Sequence, residues 1–582
     1  GEKHFLIYNP PIIDQELGLR AGMQRESERL VRDLLQHQVQ TILFGRSRKS
    51  VEFMLTRLRE HTDLSADALR AYRSGYLPDE RREIENGLRR GEIRAVTATT
   101  ALELGIDIGG MDAAVLAGYP GTISGTWQQA GRSGRTDKPS LAVLVTSAAP
   151  LDQFLAHHPE YLFQTSPENA LLDPNNLLIL LNHIQCAAFE LPFSEEESFG
   201  QLGIGLTQQF LKVLSRSGPL YHSSGKYYWM KDGYPANQIS LRTASSDSVS
   251  LRLSDRDGQD RLLGTVDKES AYWMVHPGAV YFHQGESYLV DELDLEQNRV
   301  VLREASGDYY TEPEKQSQVE ITHLLDEEAV TGGKKSLGEL SVTTTVTGYK
   351  KINWGKYLVL DRQPLDLPST TLQTTGYWLS LQRKTITTLE ESGVWASGPN
   401  DYGPNWDIIR KAILRRDDHA CQVCGKSPPS SDLHIHHKIP LRSFGSFQEA
   451  NRPENLITVC PRCHHRLENV VRFRSGLSGL GYALHHLAPL LLMCERHDLG
   501  VHIDPESSLA SGLPTIVIYE NIPAGLGFSR ELYEKHELLL NQTHQLVSSC
   551  PCPDGCPSCV GPGGELGQGG KKEAMAILSL LL

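Results

Sequence analysis

The sequence predicts a multidomain protein of mixed α/β and α+β architecture, and three observations carry that expectation. Its 582 residues exceed what one core holds, at roughly 100–200 residues per domain. Short apolar strands alternate with helical stretches over residues 1–150, whereas residues from about 240 to 303 run strand after strand. Eight of the ten cysteines fall in two tight clusters near the end of the chain. With 39% hydrophobic and 22% charged residues, the chain is not mostly disordered. No apolar run approaches the roughly 18–20 residues that span a bilayer, and no signal-peptide pattern opens the sequence, so no membrane partner is expected. The net charge of -14 attracts no nucleic acid by itself, so any such contact needs a local basic surface. Ten cysteines are too few for a disulfide scaffold, and their clustering points to metal sites in a reducing, cytoplasmic setting.

In residues 1–150, Thr41–Phe44, Arg94–Thr97, Ala113–Leu116 and Leu141–Val145 read as strands of a parallel sheet. Three segments beside them carry chemistry. Gly45-Arg46-Ser47-Arg48-Lys49 follows a strand and opens a helix, where backbone N–H groups and basic side chains grip phosphate. Thr99-Thr100 follows another strand and leads to Gly105 and Asp107. Gln128–Arg135 presents Arg132 and Arg135 three apart on one helical face, suited to charge developing on a transferring γ-phosphoryl group. A solvated helix face and ordinary turns explain any one of these segments, but not three in register.

Together they resemble motifs IV, V and VI of superfamily 2 helicases. The strings Tyr72-Arg73-Ser74-Gly75-Tyr76-Leu77, Arg81-Arg82 and Tyr119-Pro120-Gly121-Thr122 resemble one branch, the MrfA-type DNA helicases, relatives of the RecQ-like group that end in a zinc-binding domain. The resemblance implies a RecA-like second helicase lobe over 1–150. Arg132 and Arg135 would face the γ-phosphate of ATP, with Arg135 the arginine finger; Gly105, Asp107 and Gln128 would lie near the nucleotide; Arg46, Ser47, Thr99 and Thr100 would hold the DNA backbone. No G-x-x-x-x-G-K-[ST] loop is present. Gly332-Gly333-Lys334-Lys335-Ser336 has Glu328 where the first glycine belongs, and Asp326-Glu327-Glu328-Ala329 lies downstream of motif VI, so both read as chance matches. We therefore expect ATP with Mg²⁺ to require a first RecA-like lobe, either upstream in the same polypeptide or a separate subunit. Gly1 in place of Met favours the former.

Residues 151–240 read as a helical, winged-helix-like module and 241–340 as a small β-barrel module, its strands separated by turns such as Arg256-Asp257-Gly258. His276-Pro277-Gly278 through His283-Gln284-Gly285 again resembles the MrfA-type family, but lone histidines flanking a turn are more often hydrogen-bonded structure than metal ligands.

A zinc-binding C-terminal domain is expected in two parts, 341–404 and 471–582. Cys550, Cys552, Cys556 and Cys559, set among Pro and Gly, suit tetrahedral Zn²⁺, with disulfides the alternative. Between the parts lies residues 405–470. Cys421-x₂-Cys424 and Cys460-x₂-Cys463 form a second structural zinc pattern around Leu433-His434-Ile435-His436-His437, with Asn455 before the second pair and His464-His465 after it. This resembles the HNH nuclease fold, a ββα-metal site with a CxxC zinc knuckle. Phosphodiester hydrolysis needs a base to activate water and a divalent cation to stabilise the phosphorus and the leaving oxygen. The resemblance implies His437 as general base, Asn455 as the residue that orients it, and His436 and His464 as ligands of a divalent metal, with His465 the alternative to His464. Two imidazoles lean away from Mg²⁺ and toward a softer ion. Residues 405–475 carry twelve Lys/Arg against seven Asp/Glu, a net of +5 suited to tracking phosphates.

The function expected is the C-terminal portion of an ATP-dependent DNA helicase, 3′ to 5′ by resemblance, fused to an HNH endonuclease that acts in DNA repair or in defence against foreign DNA. Its partners would be single-stranded and duplex or branched DNA. The alternative is a non-catalytic, zinc-stabilised DNA-binding partner that supplies only the arginine-finger lobe to a separate ATPase.

Overall fold

Unbroken apolar runs mark strands covered on both faces, and Thr41–Phe44, Ala95–Ala98 and Ala113–Ala117 are buried at every position. They lie inside a six-stranded, wholly parallel sheet. Its order is Lys3–Tyr8, Ser140–Val145, Ala113–Ala117, Thr41–Phe44, Ala95–Ala98, Leu69–Tyr72. The first and last of these strands add to the four read from sequence. The computed structural model describes all residues except 15–18, 104–107, 135–137, 168–175, 240–247, 255–259, 306, 354–357, 392–401, 428, 430–432, 439–443, 445, 493, 554 and 562–569. Gly105, Asp107 and Arg135 therefore lie outside the described residues. Local signals set the helix ends. Ser47 caps Arg48–Glu60 by accepting from Ser50 N, Pro78 opens Pro78–Arg90, and Gly91 closes it at φ +73°.

Helices Leu177–Glu190 and Ile204–Arg216 pack with a three-stranded sheet, Leu220–Ser223, Lys226–Trp229 and Phe193–Ser194, around Ile184, Leu211 and Tyr227. This is the helices-then-hairpin arrangement expected of the winged-helix-like module. The next module is a five-stranded mixed sheet ordered Asp260–Asp267, Ser248–Ser254, Arg299–Glu304, Glu286–Asp294, Val280–His283. Where a small barrel was expected, its two outer strands show no pairing with each other among the described residues. The module is tied to the first lobe by Arg73. That guanidinium is almost fully buried, donating to Glu52 Oε1 at 2.6 Å, Tyr281 OH at 2.8 Å and Phe282 O at 2.9 Å.

A long hairpin, Tyr309–Val330 with Gly333–Asn353, leads into the C-terminal domain. Residue 340, drawn as a boundary from sequence, lies inside its second strand. The phosphate-loop-like string Gly332–Ser336 and the acidic string Asp326–Ala329 meet at its tip. Glu327 pairs with Lys334 at 2.7 Å and Glu328 with Lys335 at 2.9 Å, so their charges are spent across the turn. Gly332 turns there at φ +68°, and a Cβ would sit 2.2 Å from Leu580 O.

The hairpin joins a sheet with Thr370–Leu381, Leu513–Glu520 and Leu499–Ser507, all antiparallel. Helices Pro461–Leu491, Phe528–Glu534, His536–Ser549 and Lys571–Leu581 contribute to a core that includes Leu379, Leu480, Leu484, Ile518, Leu540 and Ile577. The neighbouring strands Thr370–Leu381 and Leu513–Glu520 are separated in sequence by a unit with its own two-stranded sheet, His434–His437 with Leu456–Val459, and its own core. Pro461–Leu491 serves both. It starts on the small unit's cysteines and ends in the C-terminal core, running through residue 470 without a break.

Candidate functional site

In the small unit, Leu433, Ile435, Leu456 and Val459 pack with Ile413 and Leu414 of the helix Trp406–Arg416. Strand alternation places His434 and His436 on one face and Ile435 and His437 on the other. The antiparallel register sets His434 opposite Val459 and His436 opposite Ile457. The helix begins directly after Val459-Cys460, with Pro461 in its first turn, and brings His464 against the histidine face.

Cys421, Cys424, Cys460 and Cys463 hold their sulfurs within 4.8 Å of one another, the spacing of a tetrahedral zinc site. Burial opposes charge on Cys421, yet bonds from the backbone at Cys460, Cys424 and Val423 bring its thiol down to about 6, toward the thiolate that binds zinc. Asp417 braces the knuckle, accepting from Thr458 N at 2.8 Å.

Three imidazoles share one face. His434 Nδ1 lies 3.3 Å from His464 Nδ1, and the His436 ring meets the His464 ring edge-on at 5.4 Å. Among the described residues, only the two cysteine sets bring three or more ligand atoms within 4.8 Å of one another. His437 lies on the opposite face. Its ring stacks against Tyr402 at 5.6 Å and Trp406 at 5.4 Å, and its Nε2 lies 2.9 Å from Asn451 Oδ1. Asn451 Nδ2 donates to Tyr402 O at 2.9 Å, which fixes the amide so that Oδ1 faces the ring. An amide oxygen only accepts, so Nε2 carries the proton and Nδ1 is the basic nitrogen. Burial pushes this imidazole below its ordinary value, with the Asn451 bond opposing.

Sequence reading gave the orienting role to Asn455. In the structure Asn451, four residues earlier, lies against His437 Nε2, while Asn455 Nδ2 donates to Ala450 O at 2.8 Å. The turn Pro453–Asn455 folds Asn455 back under the short helix Phe447–Ala450. A cavity of about 590 Å³ opens beside this group, lined by Tyr402, Asn405, Phe447 and Asn451 among others. His434, Asn451, Tyr402 and Trp406 were missed. The alternating His434-x-His436 on a strand was the available signal for the first, and nothing local marked the others.

In the first lobe, Gly45–Ser47 and Thr99–Thr100 leave the C-terminal ends of two hydrogen-bonded parallel strands and so share one rim. Arg46 pairs with the buried Asp152 and lines a cavity of about 220 Å³ with Ser47, Tyr119, Arg496 and His497. Thr99 caps the turn Thr100–Leu102 through Ala101 N. Arg132 is buried and its Nε donates to Glu103 O at 3.0 Å. Gln129 donates to Glu103 Oε2 at 2.9 Å, and Gln128 contacts Ser124 Oγ at 3.4 Å. Burial raises the Glu103 carboxyl, opposed by Gln129 and Arg132.

Cys550, Cys552, Cys556 and Cys559 form the second compact sulfur set, three of them buried in the C-terminal core. Lys571 Nζ donates to Cys550 O at 2.6 Å and Cys552 O at 3.0 Å, tying the last helix to the knuckle. His276 Nδ1 lies 3.0 Å from Pro277 O with its ring beside Tyr349, and His283 Nε2 lies 3.5 Å from Glu80 Oε1. No helix among the described residues is long and apolar enough to cross a membrane.

Fold and sites together describe the second lobe of a nucleic-acid motor with a zinc-stabilised tail and a zinc-knuckle ββα unit. Comparison with known proteins agrees region by region. The helicase conserved C-terminal domain matches residues 26–137, the winged helix domain of ATP-dependent helicase HRQ1 matches 172–244, the HNH endonuclease family matches 421–469, and the MrfA Zn-binding domain matches 480–560. The uncharacterized ATP-dependent helicase YprA of Bacillus subtilis (strain 168) is 33% identical over 584 residues, covering 100% of this chain and 66% of that protein. The ATP-dependent helicase HRQ1 of Saccharomyces cerevisiae is 30% identical over 399 residues, 66% of this chain and 36% of its own length. Among solved structures, the DUF1998 helicase MrfA bound to DNA superposes with a TM-score of 0.63 at 31% identity, over 100% of this chain and 66% of that one. The chain belongs to the MrfA-type superfamily 2 helicases and carries an HNH domain. It spans about two thirds of the length of its YprA and MrfA relatives.

Proposed function

We propose that this chain is the C-terminal portion of an ATP-dependent DNA helicase whose tail carries a metal-dependent HNH endonuclease, so that strand separation and cleavage act on the same DNA. One observation carries the reading. A single helix, Pro461–Leu491, begins at the nuclease-like histidines and ends in the helicase family's zinc domain. The motor half needs a first RecA-like lobe, upstream or on another subunit, to supply the rest of the ATP–Mg²⁺ site. Arg132 and Arg135 then face the γ-phosphate, with Gly105, Asp107 and Gln128 close to the nucleotide. Arg46, Ser47, Thr99 and Thr100, on one rim of the sheet, hold the DNA backbone as the motor moves 3′ to 5′. The work this serves is DNA repair or defence against foreign DNA.

In the nuclease half, His436 and His464 hold the divalent ion. That ion stabilises charge on the phosphorus and on the leaving oxygen. His437 accepts the proton of the attacking water at Nδ1. Asn451 keeps the other nitrogen protonated, and the depressed basicity of the ring keeps it neutral and ready near pH 7. The two structural zinc ions keep the strands and helices that carry these groups in place. The burial of His437 against Tyr402 and Trp406 favours a second reading, an inactive HNH domain kept as a DNA clamp.

Supercoiled plasmid separates the two. The chain nicks it with at least one of Mn²⁺, Mg²⁺, Co²⁺ or Ni²⁺, and His437→Ala does not; intact plasmid with all four ions would leave only the clamp.

A further inference from the structure

The pair of imidazoles that stands at ligand spacing is not the one the HNH pattern names. His434 Nδ1 and His464 Nδ1 are 3.3 Å apart. Two nitrogens bound at about 2.0–2.1 Å to one tetrahedral ion lie about 3.3–3.4 Å from each other. His436 sits two residues along the same strand on the same face, ring to ring with His464. His434 is exposed and His436 is buried, so the set runs from the small unit's interior to its surface. We infer that His434 is a third protein ligand of the nuclease-site cation; the nitrogens of His434, His436 and His464 do not all stand within 4.8 Å of one another, so His436 turns in to join the pair when the ion binds, giving a three-imidazole site selective for late divalent ions such as Zn²⁺, Co²⁺ or Ni²⁺ over Mg²⁺. The inference rests on the metal-dependent nuclease reading above.

One observation supports it beyond the spacing. Antiparallel pairing with Leu456–Val459 holds the strand that carries His434, and the same segment continues into the helix that carries His464. Three protein ligands with the fourth position open to solvent is the arrangement of catalytic rather than structural zinc sites, where water or a phosphate oxygen takes the remaining place. Imidazole nitrogens favour borderline ions, whereas Mg²⁺ wants oxygen donors and keeps its water. The alternative is that the two rings simply share a hydrogen bond.

Cobalt titration of the full chain decides between them, with both cysteine sets first filled with zinc and confirmed at two zinc ions per chain. A third site of nitrogen and oxygen donors gives visible d–d bands without the intense thiolate charge-transfer band, so it reads separately from the knuckles. Wild-type protein binds one Co²⁺ in this way, and a roughly hundredfold excess of Mg²⁺ does not displace it. Loss of an outer-sphere partner typically weakens metal affinity about 10- to 100-fold, so loss of a ligand in His434→Ala weakens Co²⁺ binding by about tenfold or more. His434→Gln, a polar side chain of similar reach, does the same, and zinc content and melting temperature stay at wild-type values in both. Wild-type affinity in both His434 variants alongside lost binding in His464→Ala overturns the third-ligand inference and leaves a two-histidine site. Wild-type affinity in His464→Ala as well overturns the metal site itself.

Discussion

Replacing Asn451 by leucine tests the geometry around His437, the general base proposed above. The substitution keeps the branched four-atom side chain but removes the acceptor for His437 Nε2 and the donor for Tyr402 O, both at 2.9 Å. Asn451 and His437 are 7% and 8% exposed, so water replaces neither bond well. A buried donor left without its partner costs about 1–3 kcal/mol. The ring escapes that cost by turning, or by moving its proton to Nδ1, and either change removes the base from the nitrogen that works. At 1.36 kcal/mol per decade of rate, the penalty for keeping the working arrangement is about 5- to 150-fold. Single-turnover nicking of supercoiled plasmid, run well below the melting temperature of both proteins with zinc content matched, reads it directly. Asn451→Leu slows nicking within that range, whereas Asn455→Ala, which loses a bond to Ala450 O, slows it less. Wild-type nicking by Asn451→Leu, with the whole loss falling on Asn455→Ala, would refute the assignment.

Other outcomes follow from the packing. Arg73→Met leaves Glu52 buried without its cation and costs about 3–5 kcal/mol in urea unfolding, and Arg73→Met with Glu52→Gln recovers much of it. Burial, then Asp498 and Glu103, push the Glu495 carboxyl up to about 7, with Arg46 opposing. A raised carboxyl contributes stability that is present below its unfolded value near 4.5 and lost as pH rises through 7. Glu495→Gln therefore gains about 2 kcal/mol on wild type between pH 5.5 and pH 8, read from urea midpoints; an unchanged difference speaks against the burial. Stripping zinc with a strong chelator removes the anchor of Cys552, Cys556 and Cys559 in the C-terminal core, so cooperative unfolding of that domain is lost by circular dichroism. Cys556→Ser reproduces that loss with chelator absent.

Much of this was legible because the signals were local. Apolar runs at 41–44 and 113–117 are strands buried on both faces, and periodicity alone finds them. Paired cysteines announce zinc whatever surrounds them, and His436-His437 before a CxxC-His464 pattern marked the ββα unit. What escaped notice depends on contacts distant in sequence. The hairpin Tyr309–Val330/Gly333–Asn353 was split at residue 340 because a long strand that emerges from one module and enters another shows no turn residue at the change of neighbour. An open five-stranded sheet and a closed barrel share one alternation pattern; what distinguishes them is whether the outer strands Asp260–Asp267 and Val280–His283 pair, and among the described residues they show no such pairing. Asn455 was named from its place before the second cysteine pair, and Asn451 was not considered. Which amide reaches His437 depends on the turn at Pro453–Asn455, which spacing does not encode. Of the strings at 326–336, Gly332–Ser336 was set aside for want of a glycine and Asp326–Ala329 for lying downstream of motif VI, and in the structure they form oppositely charged flanks of one turn.

The central claim is that imidazoles in the tail of this helicase-family chain hold a hydrolytic cation, and anomalous diffraction from crystals soaked in Mn²⁺ or Co²⁺ tests it most directly. The account predicts a peak at the soaked metal's edge within about 2.0–2.3 Å of nitrogens on His436 and His464, separate from zinc peaks at both cysteine sets. Zinc at both cysteine sets with no peak on the histidine face, in crystals whose histidine face is open to solvent, contradicts it.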